Sequence, residues 1–156
     1  MSIKRRIRGV RRFRSERGAA LVEFALVVPF LMIMMCATID FGLCVWTLNN
    51  LTAAVREGGR YGATLDGPTW AANGGATAQN LVRDRVYNFI VGMNTGLTVA
   101  QTKALITVSN PDATTRNITV QITGYPYRPV TPLASLMGLQ TINLNRTAIF
   151  RHEFGS

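Results

Sequence analysis

The sequence predicts an α+β protein: a long N-terminal transmembrane helix with a solvent extension, then a small domain of one or two helices packed on an antiparallel sheet of about three strands. Three observations predict this fold. A 30-residue apolar run comes early, an amphipathic helical pattern lies mid-chain, and three alternating segments occupy the last third. Helices that precede strands in this way favour an α+β domain.

We divide the 156 residues into five parts. They are a basic leader (1–18), a transmembrane or assembly helix (19–48), a helix extension (49–65), an exported α+β domain (66–152) and a tail (153–156) that we leave out of the functional argument.

The leader holds most of the basic charge. Residues 1–17 contain eight of the 17 Lys and Arg residues and one of the eight Asp and Glu residues, so they carry +7 of the formal net charge of +9. The rest of the chain carries only +2, which argues against a nucleic-acid-binding domain. A hydrophobic content of 47% argues against a disordered or collagen-like chain.

The apolar run 19–48 predicts a membrane-spanning helix. Glu23 and Asp40 are its only charged residues, and the 16 residues from 24 to 39 carry no charge. At about 1.5 Å per residue the run is roughly 45 Å long, so its ends should leave a hydrocarbon core of about 30 Å. By the positive-inside rule, the leader is expected in the cytoplasm and the domain across the membrane.

A removable signal peptide is the first alternative for this N-terminus. The basic region is long, the apolar run exceeds the usual length of about 7–15 residues, and no small-x-small cleavage site follows at a suitable distance. These features argue against the signal peptide, whereas an uncleaved signal anchor stays open.

Glu23 needs an explanation, because an ionised carboxylate costs about 2.5–3.5 kcal/mol at the bilayer centre and less near an interface. Two interpretations stay open. If the chain is cut after Gly18, Ala19 becomes an α-amino terminus, and such an amine on a neighbouring subunit can pair with Glu23. Alternatively, Glu23 is an interfacial residue near a helix N-terminus, where the helix dipole favours an acid.

The head of this helix resembles a prepilin processing site. A basic leader ends in Gly, four apolar or small residues follow, and a Glu-aromatic pair opens a long apolar helix. The run RGAALVEFALVVPF (17–30) is similar to the TadE-like pseudopilins of the tight-adherence (Flp-type) pilus system. Two later segments extend the resemblance, AVREGGRYGA (54–63) and the turn YPYRP (125–129) before the last strand. The resemblance covers residues 17–65 and 118–151.

The resemblance implies roles for particular residues. Gly18 and Ala19 would flank the bond that a membrane prepilin peptidase cuts, and Glu23 and Phe24 would serve peptidase recognition and assembly. The residues of the helix that would pack on neighbouring pilin helices are Leu21, Val22, Leu26 and Pro29. Because major pilins of such systems often have Tyr at the aromatic position and are little longer than the helix, Phe24 and the chain length indicate a minor pilin or pseudopilin.

The resemblance also implies partners and a location. The partners are other pilins or pseudopilins, a prepilin peptidase, an inner-membrane pilus platform and the lipid bilayer. The implied location is the bacterial inner membrane, with the domain in the periplasm, or the extracellular pilus after assembly. The implied process is pilus biogenesis, with surface attachment and adhesion. Nucleic acid and small-molecule substrates are not expected.

Two further features of the helix bear on packing. Pro29 predicts a kink, either as a bend that helps subunits pack or as a tolerated membrane proline. In the extension, Gly58 and Gly59 weaken the helix and allow close approach. The residues that form a second candidate partner surface are Arg56, Glu57, Arg60 and Tyr61, and a solvated charged face is the alternative reading.

The exported domain is predicted from its periodicity. Turn formers in 66–75 should break the helix. Apolar residues recur every three or four positions over 76–93, which predicts an amphipathic helix, and a helical turn is expected at 99–103. The segments that alternate as strands are 105–109, 117–124 and 141–151.

Residues 133–139 (LASLMGL) allow two interpretations. They are a short buried helix after a proline-rich turn, or an exposed apolar patch for a partner pilin. The sequence does not decide between them.

No catalytic constellation appears in the sequence. His152 is the only histidine, and there is no Gly-rich phosphate loop, nucleophile motif or pair of carboxylates. We therefore expect no enzyme, cofactor or metal. Three functions remain: a prepilin-like assembly subunit, an uncleaved membrane-anchored accessory protein of the pilus or secretion machinery, and a membrane-tethered nucleic-acid binder that acts through its leader.

Overall fold

The computed structural model describes residues 15–93, 96–138 and 140–152, and it confirms the α+β fold. Most of the basic leader and the tail 153–156 lie outside the described residues, as does Leu139 of the apolar segment 133–139. The described chain is a long N-terminal helix, further short helices and a three-stranded antiparallel sheet.

The first helix, α1, runs without a break over Ser15–Thr64 and joins the predicted membrane helix to its predicted extension. Its 50 residues correspond to a length of about 75 Å. Residues 24–39 of α1 carry no charge and are mostly exposed, whereas Leu51, Ala54 and Val55 in the second half of the helix belong to the domain core. One helix thus contributes an exposed apolar segment, residues 21–39, which we call the exposed rod, and a part of the domain core. Pro29 lies inside α1, and a kink there stays a prediction.

Helix α1 ends at Thr64, which confirms the predicted break, and the segment 66–75 forms short helical structure of its own. Helix α2 occupies Gly67–Ala71, and a 3₁₀ turn follows over Ala72–Gly75. Asp66 caps α2 by accepting a hydrogen bond from the Thr69 amide, and Pro68 suits the first turn of a helix. A strong cap followed by proline therefore starts a new helix after the break.

Helix α3 spans Ala76–Ile90 and packs on α1 through the side chains predicted for its apolar face. Its buried residues, Ala78, Val82, Val86 and Ile90, recur every four positions. The helix ends before the expected residue 93, and a turn occupies 91–93, where Gly92 is a poor helix former. Helix α4, Val99–Ala104, confirms the predicted helical turn and begins with a capping box between Thr98 and Gln101.

The three strands are β1 (Ile106–Val108), β2 (Asn117–Tyr127) and β3 (Ile142–Arg151), in the spatial order β1-β2-β3. Strand β2 continues past the predicted end at 124, because the pairing with β3 shifts register between Ile122 and Tyr125 and then resumes. Gly124, with φ of 68°, lies at this irregularity. The buried residues that β2 contributes to the core are Ile118, Val120, Ile122, Tyr125 and Tyr127.

A short helix, α5 (Pro132–Leu136), connects β2 to β3. Ala134 is buried, but Leu136 is 83% exposed and Met137 is 69% exposed. The interpretation of 133–139 as a buried helix was therefore wrong for these two side chains. With five helical residues, α5 is too short to bury more than one side, and it turns Ala134 toward the protein.

Two glycines allow α1 to lie close to the domain, as the sequence predicts. A Cβ on Gly58 would overlap the Val86 side chain of α3, and one on Gly59 would overlap the Phe150 ring of β3. Close packing at these positions brings α1 against both α3 and β3. A Cβ on Gly42, further toward the N-terminus, would meet no heavy atom within 4 Å.

We predict that Gly58→Ala destabilises the domain. Alanine favours a helix by up to about 1 kcal/mol over glycine, but overpacking in a rigid contact costs about 1–3 kcal/mol. The melting temperature of the detergent-solubilised chain, followed by near-ultraviolet circular dichroism, should fall. Gly42→Ala is the matched control, and its melting temperature should stay equal or rise. A melting temperature for Gly58→Ala at or above that of the control would contradict the packing argument.

Candidate functional site

The most prominent surface is the N-terminal half of α1. The structure has a helix from Gly18 to Thr64 that is long and apolar enough to cross a membrane, with a mean hydropathy of 2.4 in its most apolar window and none of that window buried. Its large exposed side chains up to residue 39 are Leu21, Val22, Phe24, Leu26, Val27, Phe30, Leu31, Met32, Ile33, Met34, Met35 and Ile39. An apolar surface of this extent requires lipid or protein around it.

The predicted assembly residues lie at the start of this surface and point away from the domain. Phe24 is 67% exposed, and Glu23 is exposed beside it. Within the residues the structure describes, Glu23 belongs to no ion pair. The residues predicted for helix packing, Leu21, Val22, Leu26 and Pro29, are likewise exposed. The fold thus keeps these residues together and leaves them available to another molecule.

The predicted cleavage bond lies inside α1. The helix begins at Ser15, so both Gly18 and Ala19 have helical backbone in the first turn and a half. Peptidases bind extended segments, and glycine costs a helix about 1 kcal/mol relative to alanine. Gly18 is therefore a position where the end of the helix can open at low cost.

Asp40 holds the domain onto α1 at the far end of the exposed surface. One carboxylate oxygen accepts hydrogen bonds from the backbone amides of Val130, at 2.9 Å, and Thr131, at 3.1 Å. The other oxygen accepts a hydrogen bond from the Thr131 hydroxyl group. The Tyr127 hydroxyl donates to the Asp40 backbone carbonyl at 2.8 Å. Four hydrogen bonds thus tie the proline-rich turn to one turn of the helix.

Sequence reasoning missed this role of Asp40 and treated it only as a charge at the end of the membrane segment. Asp40 and Thr131 are 91 residues apart, so no local spacing connects them. The available signal was the lone carboxylate itself, because a charge that close to an apolar run needs donors. The proline-rich turn before α5 supplies two of those donors, the backbone N–H groups of Val130 and Thr131.

A cleft of about 230 Å³ lies beside this contact. Its walls come from α1 on one side and from α5 with the preceding turn on the other, and they include Ala37, Phe41, Cys44, Leu133, Ala134 and Met137. The walls are apolar side chains apart from Asp40 and Tyr127. The cleft shows that α5 lies alongside residues 37–44 of α1.

The second candidate surface is partly used within the chain. Glu57 accepts hydrogen bonds from Arg60, one turn along α1, and from Arg85 of α3, with Nη2 distances of 3.0 and 2.8 Å. The Arg85 guanidinium also lies over the Tyr61 ring, 5.8 Å from its centre. The Arg85 and Arg60 hydrogen bonds lower the pKa of the Glu57 carboxyl below its usual range.

Glu57 therefore connects α1 to α3, and solvent screens ion pairs that are this exposed, so they add little to stability. Arg56 and Arg60 remain exposed at its edge, so the part of this surface that faces solvent is mainly cationic. The alternative interpretation, a solvated charged face, fits Arg56 and Arg60. Glu57 and Tyr61 instead take part in the packing of α1 on α3.

His152 has a structural environment at the opposite end of the domain. Its amide donates to the Arg116 carbonyl at 2.8 Å, and its ring Nε2 lies 2.7 Å from the Leu65 carbonyl oxygen. The ring meets Trp70 edge to face, with 6.3 Å between ring centres. Among residues 15–93, 96–138 and 140–152, no group of three or more His, Cys, Asp or Glu side chains is placed to hold a metal ion.

With the geometry described, comparison with known proteins assigns the helix to a family. The model of the family described as TadE-like protein matches residues 18–60. The chain carries a TadE-like segment. The TadE-like match begins at Gly18, the first residue of the predicted cleavage pair, and ends at Arg60 in the candidate partner surface. It confirms the resemblance over the helix, whereas the resemblance of residues 118–151 lies outside the match and stays a prediction. No curated protein and no solved structure matches the chain.

The TadE-like match has a coarse functional meaning. TadE-like proteins form a pilus-associated structural family, and the match over residues 18–60 suggests a pilus-associated protein. The apolar N-terminal helix indicates membrane anchoring in that setting. The matched residues are the exposed apolar rod of α1 together with the part of α1 that packs into the domain core.

We predict that Asp40→Ala loosens the proline-rich turn while the domain stays folded. Hydrogen bonds to a charged group contribute about 1.5–3 kcal/mol each when buried and less where solvent reaches them, so loss of the Asp40 carboxylate should increase local opening at Val130 and Thr131 by at least about tenfold. Hydrogen exchange of peptides covering 127–133 measures the change.

Asp112→Ala is the matched control, since among the described residues the Asp112 carboxylate accepts hydrogen bonds only from the amides of Thr114 and Thr115 and from the Thr115 hydroxyl group. It should speed exchange around 112–116 and leave 127–133 unchanged. Unchanged exchange at Val130 and Thr131 in Asp40→Ala would show that Asp40 does not hold the turn.

Proposed function

We propose that the protein is a TadE-like minor pilin or pseudopilin that a prepilin peptidase cuts between Gly18 and Ala19. It then takes part in tight-adherence pilus assembly through its N-terminal helix, with the domain on the far side of the inner membrane. The observation that carries this proposal is the exposed head of α1. There the cleavable Gly, the unpaired Glu23 and the apolar packing residues lie together inside the family match.

The charge distribution supports the direction of insertion. The leader carries +7 over 17 residues and directly precedes the apolar helix, and such a cluster is retained in the cytoplasm. The domain follows α1 without a second apolar helix among the described residues, so it lies across the membrane from the leader. Cleavage after Gly18 removes the leader and leaves a mature chain of net charge +2.

Glu23 would form an ion pair with a neighbouring subunit during assembly. After cleavage the Ala19 amine is a cation, and Glu23 four residues along the same helix is an anion. When one subunit leaves the bilayer beside another, an amine and a carboxylate on neighbouring chains can neutralise each other, which removes the cost of two unpaired charges in an apolar setting. This pairing favours the helix among other helices over the helix alone in lipid.

An uncleaved membrane-anchored accessory protein is the second candidate, and one observation favours it. Helix α1 begins before Gly18, so the predicted cleavage bond has helical backbone. In that case the exposed helix serves as a permanent anchor, and the domain and the arginine edge of α1 serve as contacts for other assembly components.

We predict that Gly18→Leu blocks processing in the native host. The chain contains a second Arg-Gly pair at Arg8-Gly9, so Gly9→Leu is a matched control that should be cut normally. N-terminal sequencing of the purified protein should begin at Ala19 for the natural sequence and for Gly9→Leu. The Gly18→Leu chain should keep its leader. An intact Met1 on the natural chain, in cells with an active prepilin peptidase, would favour the uncleaved accessory protein instead.

We predict that Glu23→Ala reduces incorporation into pili, because the Ala19 amine of a neighbouring subunit loses its partner. A loss of about tenfold corresponds to roughly 1.4 kcal/mol of pairing free energy. Immunoblotting of sheared, purified pili measures the incorporated fraction. Asp112→Ala is the control, since it removes a carboxylate from the domain outside both candidate surfaces. Equal incorporation of Glu23→Ala and the natural chain, together with normal cleavage, would exclude this role.

A further inference from the structure

The height of Asp40 along α1 coincides with the expected edge of a bilayer. From Leu21 to Asp40 the helix rises about 29 Å, close to a hydrocarbon core of about 30 Å. Most large side chains in the first part of this interval are exposed, and among the described residues Leu43 is the first apolar side chain of α1 that packs against the domain core. A membrane that surrounds the exposed rod therefore ends near Asp40, where the domain begins.

The Asp40 hydrogen bonds fix the proline-rich turn and α5 at that same height. Val130 and Thr131 bind the Asp40 carboxylate directly, and α5 starts at the next residue. The cleft between the two helices runs from Ala37 to Cys44, so α5 reaches one turn below Asp40 along α1. The loop and short helix thus lie at the membrane boundary and not on the distal side of the domain.

The side chains presented at this height are those of a membrane interface. Phe41 is 72% exposed, Val130 72%, Leu136 83% and Met137 69%. We call these four residues the membrane-proximal face. Residues 127–138 contain a single charged residue, the exposed Arg128, and Trp46 lies exposed two turns above Asp40. Trp is enriched at the level where headgroups begin.

We propose that the membrane-proximal face inserts into the outer part of the bilayer. The domain then contacts phospholipid directly in addition to being anchored by its helix. The proposal rests on the membrane-anchored helix of the proposed function, but not on cleavage. The bilayer is the occupant because the face is continuous with the exposed rod of α1, and what surrounds the rod at that height also surrounds the face. Arg128 then meets the phosphate groups.

The experiment places a photoreactive side chain at single positions of the full chain. p-Benzoylphenylalanine replaces Leu136, which is so exposed that the change should not disturb folding. It also replaces Phe30 in the rod, as a marker of insertion, and Ile149 on β3, as an apolar control that is as exposed as Phe30, at 63%. Ile149 precedes Phe150, which contacts Gly59 of α1, so it lies about 29 Å further along the helix than Asp40.

Each chain is reconstituted into vesicles of phosphatidylethanolamine and phosphatidylglycerol, irradiated and examined by mass spectrometry for lipid adducts. We expect adducts at positions 30 and 136, with at least about fivefold more at 136 than at 149, because only the interfacial position contacts lipid.

Adducts at position 30 without adducts at 136 would overturn the inference and leave the anchored helix intact. A crosslinked dimer from position 136 in place of lipid adducts would also overturn it, because a second copy would then cover the face. Absence of adducts at position 30 would mean that the helix is not inserted, which removes the proposed anchoring and this inference together.

Discussion

The structure depends on the contact between the Asp40 carboxylate and the turn that contains Val130 and Thr131. A single helix exposes apolar side chains over its first half and packs into the domain core over its second half. Asp40 stands between the two, and its four hydrogen bonds join the N-terminal part of the fold to the segment between β2 and β3. Because backbone amides supply two donors, the contact fixes the main chain of the turn and not only a side chain.

The rest of the domain continues that arrangement along α1. Gly58 and Gly59 bring the helix within direct contact of α3 and β3, and Glu57 joins it to Arg85 of α3. Leu51, Ala54 and Val55 fill the space between Asp40 and these glycines. The helix is thereby fixed at its entry, its middle and its distal end, so the direction of the exposed rod is set by the packing of the domain.

Periodicity in the sequence predicted the elements that depend on local patterns. The apolar run, the four-residue recurrence of Val82, Val86 and Ile90, and the alternation in β2 each report burial within one element, and the structure has helices and strands there. Contacts between distant segments leave no such pattern. The Asp40 turn joins positions 91 residues apart, the β2 register shift depends on Gly124, and the exposure of Leu136 depends on how α5 lies against α1. The head of the helix was recognised from its motif, and the family match at residues 18–60 bears that out.

The N-terminal part of α1 is exposed and the C-terminal part packs into the domain, and this difference affects how the helix could assemble with others. Among the described residues of α1, Asp40 is the first that hydrogen-bonds to the domain, and Leu43 is the first apolar side chain packed against the core. In the function that we propose, the exposed residues before Ala37 would therefore exchange lipid for neighbouring helices with little loss of domain contact. What opposes that exchange is the membrane-proximal face, since Leu136 and Met137 would leave lipid when the subunit leaves the membrane. A pilus partner that covers this face would compensate for that loss, and Glu23 would favour the same step at the other end of the helix.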